Sequence, residues 1–291
     1  MNTVMDIFLS PFADFAFMRK ALVGCCLLSM GAAPLGVLLI LRRMSLMGEA
    51  ISHAVLPGIA ASFLLFGLSV PAMGLGGMLA GLAVAILVGL ATRLTQMKED
   101  AHLAAFYLIA LALGVLLISW RGTSIDLMHL LFGSVLAADD VSLGFMACIT
   151  SVTLSLMAVF YRPLIAESFD PLFMRMVHRN GTLYHLMFLM LVVINMVAGF
   201  QTLGTLMSVG LMMLPAAAAR FWSHGFMGIA GTAVGIGVFS GYFGLLLSYH
   251  NNVPSGPAII LTAGAVYMVS LLCGPLGSVR ARYFTRKHFT N

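Results

Sequence analysis

Apolar runs close to the length of a membrane span alternate with short polar breaks along nearly the whole chain. A helix crosses the hydrocarbon core with about 20 residues, and about 17–25 is the working range. Stretches near that length run over Ala21–Leu41, Leu46–Leu68, Met73–Leu90, His102–Trp120, Val141–Tyr161, Leu183–Phe200, Leu203–Ala219, Gly225–Tyr249 and Ala258–Leu276. The pattern predicts an all-α, polytopic membrane helical bundle of about eight to nine transmembrane helices. The count turns on the pair between Leu183 and Ala219, joined only by Gln201 and Thr202, which reads as two tight spans or one broken element.

Three regions follow. Residues 1–20 are too short and interrupted to span and are expected to form an interfacial helix. With Asp6 and Asp14 and no basic leading region they do not read as a secretory signal. Residues 21–276 form the transmembrane domain, and residues 277–291 a basic tail. Two connections are more than links. Arg121–Asp140 holds the apolar piece IDLMHLLFGSVL, too short to cross and read as an interfacial or re-entrant helix. Arg162–Thr182 holds Asp170-Pro171 followed by FMRMVHR, and aspartate with proline at the first helical position starts a helix. Pro57 and Pro215 lie inside spans and are expected to kink them or free carbonyls. Gly77/Gly81, Gly231/Gly235 and Gly237/Gly241 are pairs that permit close helix approach.

The basic residues set the orientation. Arg42, Arg43, Arg93, Lys98, Arg162, Arg175, Arg179, Arg220, Arg280, Arg282, Arg286 and Lys287 fall on one side with two crossings between successive clusters, and the positive-inside rule makes that side cytoplasmic. The C-terminus is then cytoplasmic. Arg19 and Lys20 conflict, since nine spans place them outside.

Composition agrees with the pattern: 61% of residues are hydrophobic and 9% charged, against about 25% charged in soluble domains. The net charge of +5 reports loop topology, and no aromatic-plus-basic array for nucleic acid is present. Cys25, Cys26, Cys148 and Cys273 lie in apolar runs without C-x-x-C spacing and read as buried small hydrophobes, and the 22 scattered methionines read as core filler. No phosphate-cradling loop, zinc-protease helix or nucleophile elbow occurs, so the chain is not expected to be an enzyme, and any ATP hydrolysis belongs to a separate subunit.

One acidic residue, Glu49, falls inside a predicted span, with His53 four positions on. Positions i and i+4 share a helix face, and an ionisable group in the bilayer is costly enough to suggest function. A carboxylate with an imidazole suits a divalent zinc, manganese or iron ion. The competing reading is a pair that only neutralises itself between packed helices. Ser52 could add a hydroxyl to the path, and Pro57 follows on the same segment. Two ligands per chain are too few for four-coordination, whereas a second copy would double them. His102 and His185, at span ends, read as interfacial. His129, three after Asp126, reads as a surface pair, and His178, His224 and His288 as solvated.

RRMSLMGEAISHAVLPG (residues 42–58) resembles the signature segment of the metal-type ABC importer permeases, the ABC-3 family. The similarity continues through KEDAHLAAFYLIALALGVLLIS (98–119), DLMHLLFGSVLA (126–137), YRPLIAESFDPLFMRMV (161–177), GFQTLGTLMSVGLMMLPAAAAR (199–220) and VPSGPAIILTAG (253–264), in order over almost the whole chain. The resemblance implies a multi-pass permease of the bacterial cytoplasmic (inner) membrane carrying Zn2+ or Mn2+, with Fe2+ also compatible, and no covalently bound cofactor. It implies a permease dimer, of identical copies or close homologues, in membrane lipid, with cytoplasmic ATP-binding subunits and an extracytoplasmic metal-binding protein. It implies that Phe169, Asp170, Phe173, Met174 and Arg175, within segment 162–182, belong to the coupling helix that docks into the ATPase. It places Glu49 and His53 on the path, with Glu49 standing where the family most often has aspartate. The alternative is a secondary metal transporter driven by an ion gradient, which needs no docking helix.

Overall fold

The computed structural model describes residues 2–44, 46–67, 69–95, 97, 99–120, 139–169 and 181–280. Twelve helices follow one another among them: α1 Asn2–Asp14, α2 Ala16–Leu41, α3 Met47–Ala54, α4 Leu56–Phe66, α5 Val70–Leu94, α6 Glu99–Trp120, α7 Asp140–Val159, α8 Tyr161–Phe169, α9 Gly181–Leu203, α10 Thr205–Ala219, α11 Phe226–Asn251 and α12 Ser255–Cys273. Eight are long and apolar enough to cross a membrane, with α3 and α4 together counted as one.

The pair left open in the sequence is two helices. α9 stops at Leu203, Gly204 adopts φ 92°, and α10 starts at Thr205. At 15 residues α10 reaches about 22 Å, short of a core about 30 Å thick. It nevertheless runs beside α2 in the same direction, with Ser208 near the level of Leu28, Met212 against Gly36, and Arg220 beside Ile40 and Leu41. The Cβ that Gly36 lacks would collide with the Met212 carbonyl, so these backbones touch. Pro215 lies inside a continuous α10 rather than at a break.

The contacts fix which helix ends lie together. The C-terminal ends of α2, α10 and α12 meet around a cavity lined by Ile40, Leu41, Arg220 and Leu276. The starts of α6 and α9 join that end through Glu99 and His185. At the opposite end Lys20 of α2 pairs with Asp140 of α7 at 2.8 Å, which answers the misplaced basic pair: Arg19 and Lys20 sit away from the basic end. Arg19 donates to the carbonyls of Phe12 and Ala13. α1 is helical as expected, with Phe12 stacked on Tyr242 of α11.

The core draws on most of the helices, with Leu28 and Leu38 of α2, Ile51 of α3, Phe188 and Met196 of α9 and Leu211 of α10 among its buried residues. Of the glycine pairs, Gly77/Gly81 faces Val55, Ile59 and Val193, and Gly237/Gly241 faces Ser29 and Cys25. Gly231 and Gly235 meet nothing within 4 Å. Cys25 is buried, whereas Cys148 and Cys273 are exposed on the bundle surface, against the expectation that all four are buried.

Candidate metal path

The segment Met47–Phe66 crosses as two helices because of Pro57. Proline has no N–H to give the His53 carbonyl, four residues earlier. The helix turns at Val55 and resumes at Leu56 with the proline in its first turn. α6 covers this break, where the Cβ that Gly114 lacks would lie 3.0 Å from both the Leu56 Cβ and the Pro57 nitrogen. The kink expected from the sequence is present.

α3 is buried on most of its circumference. Met47, Gly48, Ala50, Ile51, Ser52 and Ala54 are buried, Glu49 is exposed, and His53 is half-buried. Gly48 faces Met196, Met212 and Val209, so its hydrogen admits α9 and α10 close to the helix. The stripe that one chain leaves uncovered on α3 is therefore Glu49 and His53. The His53 Nδ1 is buried without a hydrogen-bond partner among the described residues, and its ring lies 6.1 Å from that of Tyr107 on α6. An imidazole nitrogen in that condition is a lone pair or proton awaiting a partner.

Ser52 is placed differently from a path-lining hydroxyl. It is 8% exposed and donates to the Glu49 carbonyl at 2.6 Å. Pro57 is half-buried against α6. Phe169 closes α8 with 68% exposure, while Asp170, Phe173, Met174 and Arg175 lie outside the described residues, as do Asp126 and His129. Arg162–Phe169 is helix rather than loop, with Pro163 tolerated in its first turn.

Sequence reasoning missed a second polar centre at the basic end. His185 is buried, with Nε2 3.1 Å from Glu99 Oε1 and Nδ1 2.8 Å from Arg42 Nη1, and the Arg42 guanidinium lies 4.3 Å over the Phe188 ring. The signal was present: Glu99 and His185 each open an apolar run on the side that the charge count assigns to Arg42. The turn that presents Arg42 is a helix cap in which Arg43 N–H bonds to the Ile40 carbonyl at 3.1 Å and Met44 N–H to the Leu39 carbonyl at 2.9 Å. Arg43 takes the left-handed position with φ 62°, which costs a residue with a Cβ about 1–2 kcal/mol.

No group of three or more histidine, cysteine, aspartate or glutamate side chains able to hold a metal occurs among the described residues. One chain offers two donors on the α3 stripe.

An all-helical bundle with an ionisable stripe on a broken membrane helix defines a multi-pass membrane transport protein. The chain belongs to the ABC 3 transport family, whose model matches residues 14–274. It is 32% identical over 280 residues to the manganese import system permease protein ScaB of Streptococcus gordonii, covering 96% of this chain and 98% of that one. It is 32% identical over 269 residues to the manganese transport system membrane protein MntC of Listeria monocytogenes, covering 92% and 95%. Among solved structures it is similar to PsaBC from Streptococcus pneumoniae in complex with Fab, with a TM-score of 0.79 and 31% identity over 95% of this chain and 97% of that one. As a member of that family the chain is a transport component rather than an enzyme, with ATP hydrolysis in a separate subunit, and the gradient-driven alternative falls away.

Proposed function

We propose that this chain is the permease subunit of an ATP-driven importer that moves a divalent transition metal ion into the bacterial cytoplasm, manganese ahead of zinc or iron. The observation that carries the reading is the α3 stripe: Glu49 exposed, His53 half-buried with a partnerless nitrogen, and every other α3 residue packed inside the chain. Oxygen and imidazole nitrogen suit manganese, zinc and iron, and the names of the relatives favour manganese.

Two donors are thin coordination for such an ion, and a carboxylate facing lipid is costly. Both problems are solved by a two-fold pair of permeases whose Glu49 and His53 side chains converge at the axis, and symmetric pairing is the commonest assembly. The partner is an identical copy or a close homologue. An extracytoplasmic metal-binding protein delivers the ion at the Lys20–Asp140 end, and an ATP-binding subunit docks on segment 162–182 at the basic end. The excess of arginine there supports a cytoplasmic position for that end and for the C-terminus.

The test is uptake of radiolabelled manganese by cells lacking their own importer. Glu49→Gln and His53→Ala are each expected to abolish uptake while the complex still assembles. Wild-type rates in both would overturn the reading, and loss of assembly would assign the pair a packing role.

A further inference from the structure

The Arg42 side chain turns inward from the end of α2 and touches two other elements. Its Nη1 lies 2.8 Å from His185 Nδ1 on α9, and its Nε donates to Ser168 Oγ on α8 at 3.1 Å. Its guanidinium carbon lies over the Phe188 ring, 4.3 Å from the ring centre. A guanidinium only donates, so His185 Nδ1 accepts, and His185 Nε2 lies 3.1 Å from Glu99 Oε1. The accepting imidazole nitrogen thereby aims the guanidinium. Ser168 in turn donates to the Leu164 carbonyl at 2.7 Å, which fixes its hydroxyl on α8.

The position of this centre in the chain gives it a mechanical sense. Ser168 stands next to the last residue of α8, directly before residues 170–175. Arg42 stands seven residues before Glu49, joined to it by the strained turn at Arg43. A cavity of about 470 Å3, with Arg42, Glu99, Glu167, Ser168, Phe169 and His185 among its lining, adjoins the contact.

We infer that Arg42 is a positioning residue for transport: it ties the end of α8 to the helix that carries Glu49, so that movement of the ATPase-docking segment reaches the metal stripe. The inference rests on the reading of segment 162–182 as the docking site. Lysine cannot replace the arginine, because one ammonium group cannot hold Ser168 and His185 in two fixed directions while stacking on Phe188.

The experiment uses the whole importer, permease with its ATP-binding subunit, in liposomes, with manganese uptake and ATP hydrolysis measured on the same sample. Arg42→Lys is expected to leave hydrolysis within about twofold and to lower metal moved per ATP about tenfold, the scale of one lost charge-assisted hydrogen bond. Ser168→Ala should lower the same ratio in the same direction by a smaller factor. His185→Asn, which keeps an acceptor for Arg42, should retain more of the ratio than His185→Leu. An unchanged ratio in assembled Arg42→Lys complex overturns the inference, as does a parallel fall of uptake and hydrolysis. If Arg42→Lys fails to assemble, Ser168→Ala decides by the same ratio, since it leaves the guanidinium in place. Failure of the docking reading itself is seen separately, as Asp170 and Arg175 variants that still bind and stimulate the ATPase.

Discussion

Gly58 of α4 and Gly76 of α5 are pressed together so closely that the Cβ either one lacks would fall on the carbonyl oxygen of the other. The obstacle is backbone, which cannot rotate away as a side chain can. The contact lies one residue beyond Pro57 and holds the second half of the broken span against α5.

Gly58→Ala should therefore separate α4 from α5. The expected cost is about 1–3 kcal/mol, the range for an overpacked site. A lower unfolding midpoint of the purified protein in detergent measures it. An unchanged midpoint would mean that the two helices are free to move apart.

The paired site predicts where two copies approach. Ser52 and Leu56, which neighbour Glu49 on a helix drawn from sequence, are 8% and 4% exposed and face into their own chain. Leu46 is 72% exposed and lies three residues before Glu49, close to one turn along the helix. Leu46→Cys should cross-link between protomers with a short thiol reagent in active complex. Absence of that product, with activity retained, would put the metal within one subunit.

Segment 162–182 is tested by charge. Asp170→Lys and Arg175→Glu should each uncouple hydrolysis from transport. The checks are co-purification of the ATP-binding subunit and hydrolysis in lipid. Wild-type binding and coupling in both would remove the docking role.

At the opposite end, Asp139 caps α7 by accepting the Ser142 N–H at 3.0 Å. Hydrogen bonding from Ser142 holds its carboxyl below the usual aspartate range, and Lys20 acts in the same direction. A carboxyl lowered on folding contributes stability that is present above its unfolded pKa and is lost as pH falls through its folded pKa. Asp139→Ala should lower the thermal midpoint at pH 7, and its difference from wild type should shrink as pH drops below the ordinary aspartate range. A pH-independent difference would assign the effect to packing.

Much of the fold was legible because each span is a run of about twenty apolar residues, a length set by the bilayer rather than by neighbours. Glu49 and His53 were legible because ionisable groups in such runs are rare. The Arg42–His185–Glu99 centre was not, since its members are far apart in sequence and each borders a polar break, where a solvated side chain is the simplest reading. Nor could spacing show that Ser52 faces inward: that depends on which flank of α3 the rest of the chain covers. The Gly204 break was ambiguous because a two-residue connection suits either a tight turn or a continuous helix until φ is known.

The exposure of Glu49 on a single copy also bears on the life of the protein before transport begins. On the reading proposed above, a newly inserted, unpaired chain leaves that carboxylate uncovered within the membrane, at a cost of a few kcal/mol. On the paired arrangement the cost disappears at assembly. Cellular abundance of this subunit should then follow that of its partner, with the surplus removed by membrane proteolysis, and Glu49→Gln chains should outlive wild-type ones when expressed alone.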